Sequence, residues 1–241
     1  MIEQKFKKNI GTFSEEDLEK LSHAKVFVAG CGGSGYLIDQ LVRLGIGTIA
    51  VVDGDCFEET NINRQAFANM KTIGRKKVEV AKEYAEAINP AINFIGHKCY
   101  LTEQNAKRLI KGYDIVLDCV DDRKSKLVIQ KICNELEVPL IFGGMSMWFG
   151  QVGVSLPGDS IVDKVYGVEN TRRVVNVDKK LLPSTTSFVN AFTSSLYVAL
   201  CAKIVTKKYC ENSKLYIYDL LGMKIAYYDV VEQKISNLIE W

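Results

Sequence analysis

Gly30, Gly32, Gly33 and Gly35 crowd the stretch Gly30-Cys31-Gly32-Gly33-Ser34-Gly35, and Asp53-Gly54-Asp55 follows about twenty residues on, the interval of a dinucleotide-type phosphate-binding unit. Glycines so spaced let the backbone turn tightly and approach a phosphate. The helix behind them offers unpaired N–H groups and the positive end of its dipole. Asp53 is placed to accept hydrogen bonds from a ribose. Two further polar clusters come next, Asn61-Ile62-Asn63-Arg64-Gln65 and Gly74-Arg75-Lys76-Lys77. The glycine-to-acid unit alone also suits a nicotinamide or flavin cofactor. An oxidoreductase has no need for the arginine, glutamine and lysine that follow, whereas an enzyme handling a triphosphate does.

The elements that must position these residues are legible as apolar periodicity. The spacing predicts strands at Lys25 to Gly30, Thr48 to Val52, Ile92 to Ile95, Asp114 to Val120 and Val138 to Phe142. It predicts helices at Ser14 to about Leu21, Tyr36 to Leu44, Arg75 to Ile88, Thr102 to Ile110 and Arg123 to Leu136. This alternation implies a Rossmann-like, doubly wound α/β fold with a mostly parallel sheet and ligands at the carboxyl ends of its strands. Asp121 then shares a rim with Gly32 and Asp53. Asp118 reads as a strand-end residue, and Asp122 as a cap for the following helix.

Later segments are read more coarsely. Gln151 to Leu156 is expected to be a strand, and Met147, Trp148 and Phe149 core or dimer interface. Pro157 to Pro183, with Arg172 and Arg173, reads as a crossover loop over the active site. Ser184 to Ser187 would cap a long helix from Phe188 to Lys207, and Leu215 to Leu220 with Ile225 to Val230 would form an antiparallel hairpin. One domain is expected over 1–241: an arm and helix (1–24), a nucleotide-binding core (25–156), the crossover loop (157–187), and a C-terminal helix and antiparallel hairpin (188–241).

The whole chain is 241 residues, 47% hydrophobic and 25% charged, with a formal net charge of +2. That is enough to bury a full core, and the charge gives no footprint for nucleic acid. The N-terminal residues lack a signal peptide's apolar core, and Asn190, Thr193, Ser194, Ser195 and Lys203 interrupt the most apolar helix. A soluble cytoplasmic protein without a membrane partner is therefore expected. The seven cysteines form no C-x-x-C pair, so no structural zinc is expected.

The glycine turn, D-x-D, N-x-x-R-Q and a lysine after a glycine occur here in the order that marks the ThiF/MoeB/HesA family, which this chain resembles from about Val26 to Gly153. The resemblance implies ATP-dependent adenylation of a carboxylate, most often the C-terminal glycine of a small ubiquitin-like or sulfur-carrier protein ending in Gly-Gly, by a homodimer. It assigns Gly30, Gly32, Gly33 and Gly35 to the phosphates and Asp53 and Asp55 to the nucleotide. Arg64 and Lys77 would stabilise phosphate charge, assisted by Asn61 and Gln65. Asp121 would hold Mg2+, in a D-N motif that here reads Asp121-Asp122. Lys8 occupies the place of an arginine that reaches into the partner's nucleotide site. Between Cys133 and Cys201 there is no cysteine, so no enzyme thioester is expected. The remaining alternatives are a peptide or modified-tRNA carboxylate as acceptor, a nicotinamide-dependent oxidoreductase, and a non-catalytic nucleotide-binding relative.

Overall fold

Val26, Phe27, Val28 and Ala29 are all fully buried, as a strand covered by helices on both faces requires. In the computed structural model, which describes residues 2–167, 184–208, 214–230, 232 and 234–239, this strand is β1 (Lys25–Ala29). Around it run β2 (Thr48–Val52), β3 (Asn93–His97), β4 (Ile115–Asp118), β5 (Leu140–Ser146) and β6 (Phe149–Ser155), followed by β7 (Lys214–Asp219), β8 (Lys224–Asp229) and β9 (Lys234–Ile239). The strands form one sheet in the order β3-β2-β1-β4-β5-β6-β7-β8-β9. β3 through β5 pair in parallel, and every pairing from β5 outward to β9 is antiparallel. The order reverses between β1 and β4, the switch point at which an α/β sheet leaves a crevice for ligands.

Period-two alternation sends residues to two cores. Val26, Val28, Ile49, Val51 and Leu117 pack beneath α1 (Glu15–His23), α2 (Gly35–Leu44), α3 (Lys77–Ile88) and α7 (Ser187–Val205). Phe27, Ala29, Ala50, Val116 and Phe142 face α4 (Glu103–Ile110), α5 (Arg123–Glu135) and α6 (Ile161–Tyr166). The α7 helix is long and apolar enough by composition to cross a membrane. Here it packs on α2, β5 and β6 and buries Val189, Asn190, Tyr197 and Cys201.

The C-terminal part corrects several expectations. The antiparallel hairpin is there, but it extends the main sheet through β6 and gains the further strand β9. The expected crossover loop begins with a helix, α6, because Ile161 and Val162 are fully buried. Arg172 and Arg173 lie outside the described residues, as does Cys210. Ser184 to Ser187 do not cap α7 with a side chain. Two of their carbonyls are taken instead, Ser184 by the Met147 N–H and Thr185 by the Asn63 side-chain amide, and the buried Thr185 hydroxyl has no partner among the described residues. Trp148 is 40% exposed on the β5–β6 turn, its ring tilted against Phe188, which leaves the dimer interface as the remaining one of its two expected roles. The capping expectations at Ser14 and Asp122 match the hydrogen bonds formed there.

One buried ion pair ties the floor of the crevice together. Asp118, fully buried at the end of β4, accepts from the Lys126 ammonium of α5 at 3.1 Å. That ammonium also donates to the Gly143 carbonyl of β5 at 3.0 Å and lies over the Tyr166 ring of α6. Burial pulls the lysine down, but the Asp118 carboxylate and the Tyr166 phenol outweigh it and hold the group above its ordinary range. Lys126→Met should cost about 3–5 kcal/mol, because a carboxylate is then buried alone. In urea unfolding, the double variant Asp118→Asn/Lys126→Met should recover at least half of that loss. A double variant no more stable than the single one contradicts the pairing.

Candidate active site

The carboxyl ends of β1, β2, β4 and β5 open into a cleft of about 1270 Å³, above the roughly 300–1,000 Å³ of an ordinary small-molecule site. Its base is the turn after β1. Gly30 takes φ +98°, and a side chain there would stand 2.7 Å from the Cys119 carbonyl at the end of β4, so only glycine fits both the conformation and the space. The Ser34 hydroxyl closes the turn by donating to the Gly30 carbonyl at 2.7 Å, and α2 starts one residue later. Asp53 accepts the Cys31 N–H on one carboxylate oxygen and the Asp55 N–H on the other, each at 2.7 Å. Each oxygen keeps a further lone-pair position for a ligand hydroxyl.

Other expected site residues gather on the same cleft, with three exceptions. Gly32, Gly33, Asp53, Asp55, Arg64, Gln65, Lys77 and Asp121 all line it. Asn61 is absent from the lining because its side chain is spent inside its own turn, where Oδ1 accepts the Glu58 N–H. Asn63 lines the cleft instead. Gly35 also lies off the lining, packed against Ala66 and Phe67 in the first turn of α2. Lys8 belongs to a 3-10 segment, Gln4–Asn9, which rests on the far end of α2: Phe6 touches Gly45, and Asn9 donates to the Arg43 and Leu44 carbonyls. In its own chain Lys8 therefore stands one helix length from the glycine turn, about 15 Å for a helix of this size.

The polar groups are held in place yet keep capacity for a ligand. One terminal nitrogen of Arg64 donates to the Thr60 carbonyl and the Asn63 side chain, leaving the rest of the guanidinium fork. Asn190 of α7 supports the same loop by donating to the Arg64 carbonyl. Gln65 is buried with its amide nitrogen against Gly32, and its Oε1 has no partner. Lys77, also buried, pairs with Asp55 at 3.1 Å. The Tyr100 phenol, followed by the Lys77 ammonium, keeps the Asp55 carboxyl below the usual range against the opposing pull of burial. Burial raises the Asp122 carboxyl, but hydrogen bonds from Ser125 at the start of α5 outweigh it and leave it low.

Charge decides what the cleft accepts. Its described lining carries the acids Asp53, Asp55, Glu59, Asp118, Asp121 and Asp122 against the cations Arg64, Lys77 and Lys126. Lys126 is committed to Asp118, so a polyphosphate would enter a site already in acidic excess. A divalent cation relieves that repulsion, and Asp121 suits it: exposed at the rim, the carboxylate has no hydrogen-bond or ion-pair partner among the described residues. Magnesium takes one or two carboxylates and completes its shell with phosphate oxygens and water. Four of the described thiols are poor nucleophiles. Burial pushes Cys31, Cys119 and Cys133 well above the ordinary thiol range and Cys201 up to about 12.

Comparison with known proteins places this geometry. The ThiF family profile matches residues 6–237. The adenylyltransferase and sulfurtransferase UBA4 of Meyerozyma guilliermondii is 36% identical over 136 residues, which is 56% of this chain and 32% of that protein. This chain thus spans about a third of the length of the curated relatives it matches. Escherichia coli MccB with ATP superposes at a TM-score of 0.81 with 22% identity, over 95% of this chain and 72% of that one. The E. coli tRNA N6-threonylcarbamoyladenosine dehydratase TcdA gives a TM-score of 0.70 with 24% identity, over 85% of this chain and 95% of that one.

The doubly bonded Asp53 carboxylate yields a direct test of the site's construction. In Asp53→Asn an amide N–H2 faces one of the two backbone N–H groups that the acid satisfied. The variant should lose about 1–3 kcal/mol in urea unfolding. An unchanged unfolding midpoint shows that the two hydrogen bonds do not hold the turn.

Proposed function

The chain belongs to the ThiF family, and on that premise we propose that it activates a carboxylate with ATP, forming an acyl-adenylate and pyrophosphate. The observation that carries this reading is the gathering, in one cleft, of the glycine turn, Asp53, the partly free Arg64 and Lys77, and Asp121, which is unpaired among the described residues. The unpartnered Gln65 Oε1 beside Gly32 adds to it, since a buried acceptor left alone costs stability until a ligand or water satisfies it.

In this mechanism a substrate carboxylate oxygen attacks the α-phosphorus. The new P–O bond forms as the bond to the bridging oxygen breaks, and pyrophosphate leaves with that electron pair. The carboxylate is ionised at neutral pH, so no proton has to be removed. What the chain supplies is alignment and charge. The Gly32 and Gly33 backbone and the N-terminus of α2 receive phosphate oxygens, Asp53 takes the ribose, and Arg64 and Lys77 neutralise charge moving onto the leaving pyrophosphate. Asp121 would hold Mg2+, which supplies further charge neutralisation on the phosphates. Cys119 is the described cysteine that lines the cleft, its thiol is held well above the ordinary range by burial, and the mechanism carries no thioester step.

We assign the carboxylate to the C-terminal glycine of a small sulfur-carrier protein. The pairing of adenylyl and sulfur transfer in the name of the UBA4 relative supports that choice. The reading includes a twofold dimer in which Lys8 of one subunit reaches the cleft of the other, since in its own chain it lies at the wrong end of α2.

Arg64→Ala should lower ATP–pyrophosphate exchange with a Gly-Gly-ending carrier by about two to three orders of magnitude and leave the fold intact. Near-normal exchange removes Arg64 from the chemistry.

For the shared site, Lys8→Ala and Asp121→Ala should each be nearly inactive alone. Subunit exchange between them should restore about a quarter of wild-type activity, because half the dimers are mixed and each has one complete site. No recovery on mixing, or full activity of Lys8→Ala alone, rules out action across the dimer.

A further inference from the structure

Tyr100 lies in the loop between β3 and α4, is 65% exposed, and belongs to none of the motifs above. Its hydroxyl nevertheless donates to Asp55 Oδ1 at 2.7 Å, while Asp55 Oδ2 pairs with the Lys77 ammonium at 3.1 Å. A side chain on Gly54 would meet the Tyr100 ring at 2.9 Å. The glycine between the two acids therefore makes room for this ring, and Asp53, Asp55, Lys77 and Tyr100 all face the same cleft. We propose that Tyr100 is a positioning residue for nucleotide binding: its phenol fixes the Asp55 carboxylate, and through that carboxylate holds the Lys77 ammonium toward the phosphates. The proposal rests on the adenylation reading.

The physical need lies in the flexibility of both partners. Lys77 carries three rotatable donors on a four-carbon stem, of which Asp55 takes one and leaves two for a ligand. The Asp55 side chain is 47% exposed, so the lysine alone leaves it free to turn into solvent. The second attachment, to Tyr100, removes that freedom before a nucleotide arrives, and preorganisation of this kind strengthens binding. The other charged groups facing Asp55 do not substitute. Lys76 donates to the Gly54 carbonyl at 2.6 Å, and Asp53 is a like charge already bonded to the Asp55 N–H.

The test measures binding of the non-hydrolysable α,β-methylene analogue of ATP with Mg2+ by calorimetry, which needs no carboxylate substrate. Tyr100→Phe keeps the ring over Gly54 and removes only the donor. It should weaken the Kd about three- to tenfold, the range for losing a hydrogen bond to a charged group. Since Tyr100 acts through Asp55, adding Tyr100→Phe to Asp55→Ala should weaken binding no further. The low-lying Asp55 carboxyl supports binding above its pKa and loses that support as pH falls through it. Losing its main hydrogen bond raises that pKa, so the acid limb of the binding profile should move to higher pH in Tyr100→Phe. A Kd and pH profile like wild type in Tyr100→Phe, or a full additional loss in the Asp55→Ala background, overturns the proposal alone. A wild-type protein that binds no analogue overturns the adenylation reading and this proposal with it.

Discussion

The Asp53 carboxylate joins the two loops from which the cleft is made. One oxygen holds the Cys31 N–H in the glycine turn, and the other holds the Asp55 N–H beyond β2. Both loops leave the carboxyl ends of adjacent strands in parallel register, Ala29 beside Val52. A carboxylate bridging two backbone donors is a charge-assisted contact, stronger and more directional than a neutral one. It fixes the turn that would receive phosphates relative to Asp55, and Asp55 in turn fixes Lys77. Among the described residues no side chain ties the glycine turn to the opposite wall in this way, and Asp118 and Lys126 secure β4 to β5 independently.

The charge balance follows from this construction. Acids do the structural work at both walls, so the described lining is in acidic excess before any ligand enters, and among the described residues its unpaired cationic capacity is confined to Arg64 and Lys77. A polyphosphate site built this way depends on charge from elsewhere. A divalent ion at Asp121 is one source, and a lysine from a neighbouring subunit is another. Among the described residues Asp121 has no side-chain partner, which leaves its carboxylate free for such an ion.

The sequence made the parallel half of the sheet legible because β1, β2 and β4 are continuous buried apolar runs while the helices between them are amphipathic, two patterns that do not overlap. Thr48–Val52 has the same bounds in both readings. Sequence distance hid other features. Asp118 finds Lys126 only once α5 lies against β4, and Tyr100 reaches Asp55 only across the gap between neighbouring loops. At Asn61 the motif placed a polar residue in the right loop without revealing that its amide is consumed by the turn. The start of α7 falls within a residue of its expected place, but the short α6 and the absence of side-chain capping were hidden: buried Ile161 and Val162 make too short a pattern to register, and the Ser184 and Thr185 carbonyls are claimed by distant loops.

The central claim is that a carboxylate oxygen attacks the α-phosphorus of ATP, and isotope transfer measures that step directly. A Gly-Gly-ending carrier protein bearing 18O in its terminal carboxylate is incubated with MgATP and the protein, the acyl group is discharged to hydroxylamine, and the nucleotide products are weighed by mass spectrometry. The account predicts pyrophosphate and AMP, with 18O carried into the AMP because the bridging oxygen of the acyl-adenylate stays on phosphorus. ADP with inorganic phosphate, or AMP free of label, contradicts it.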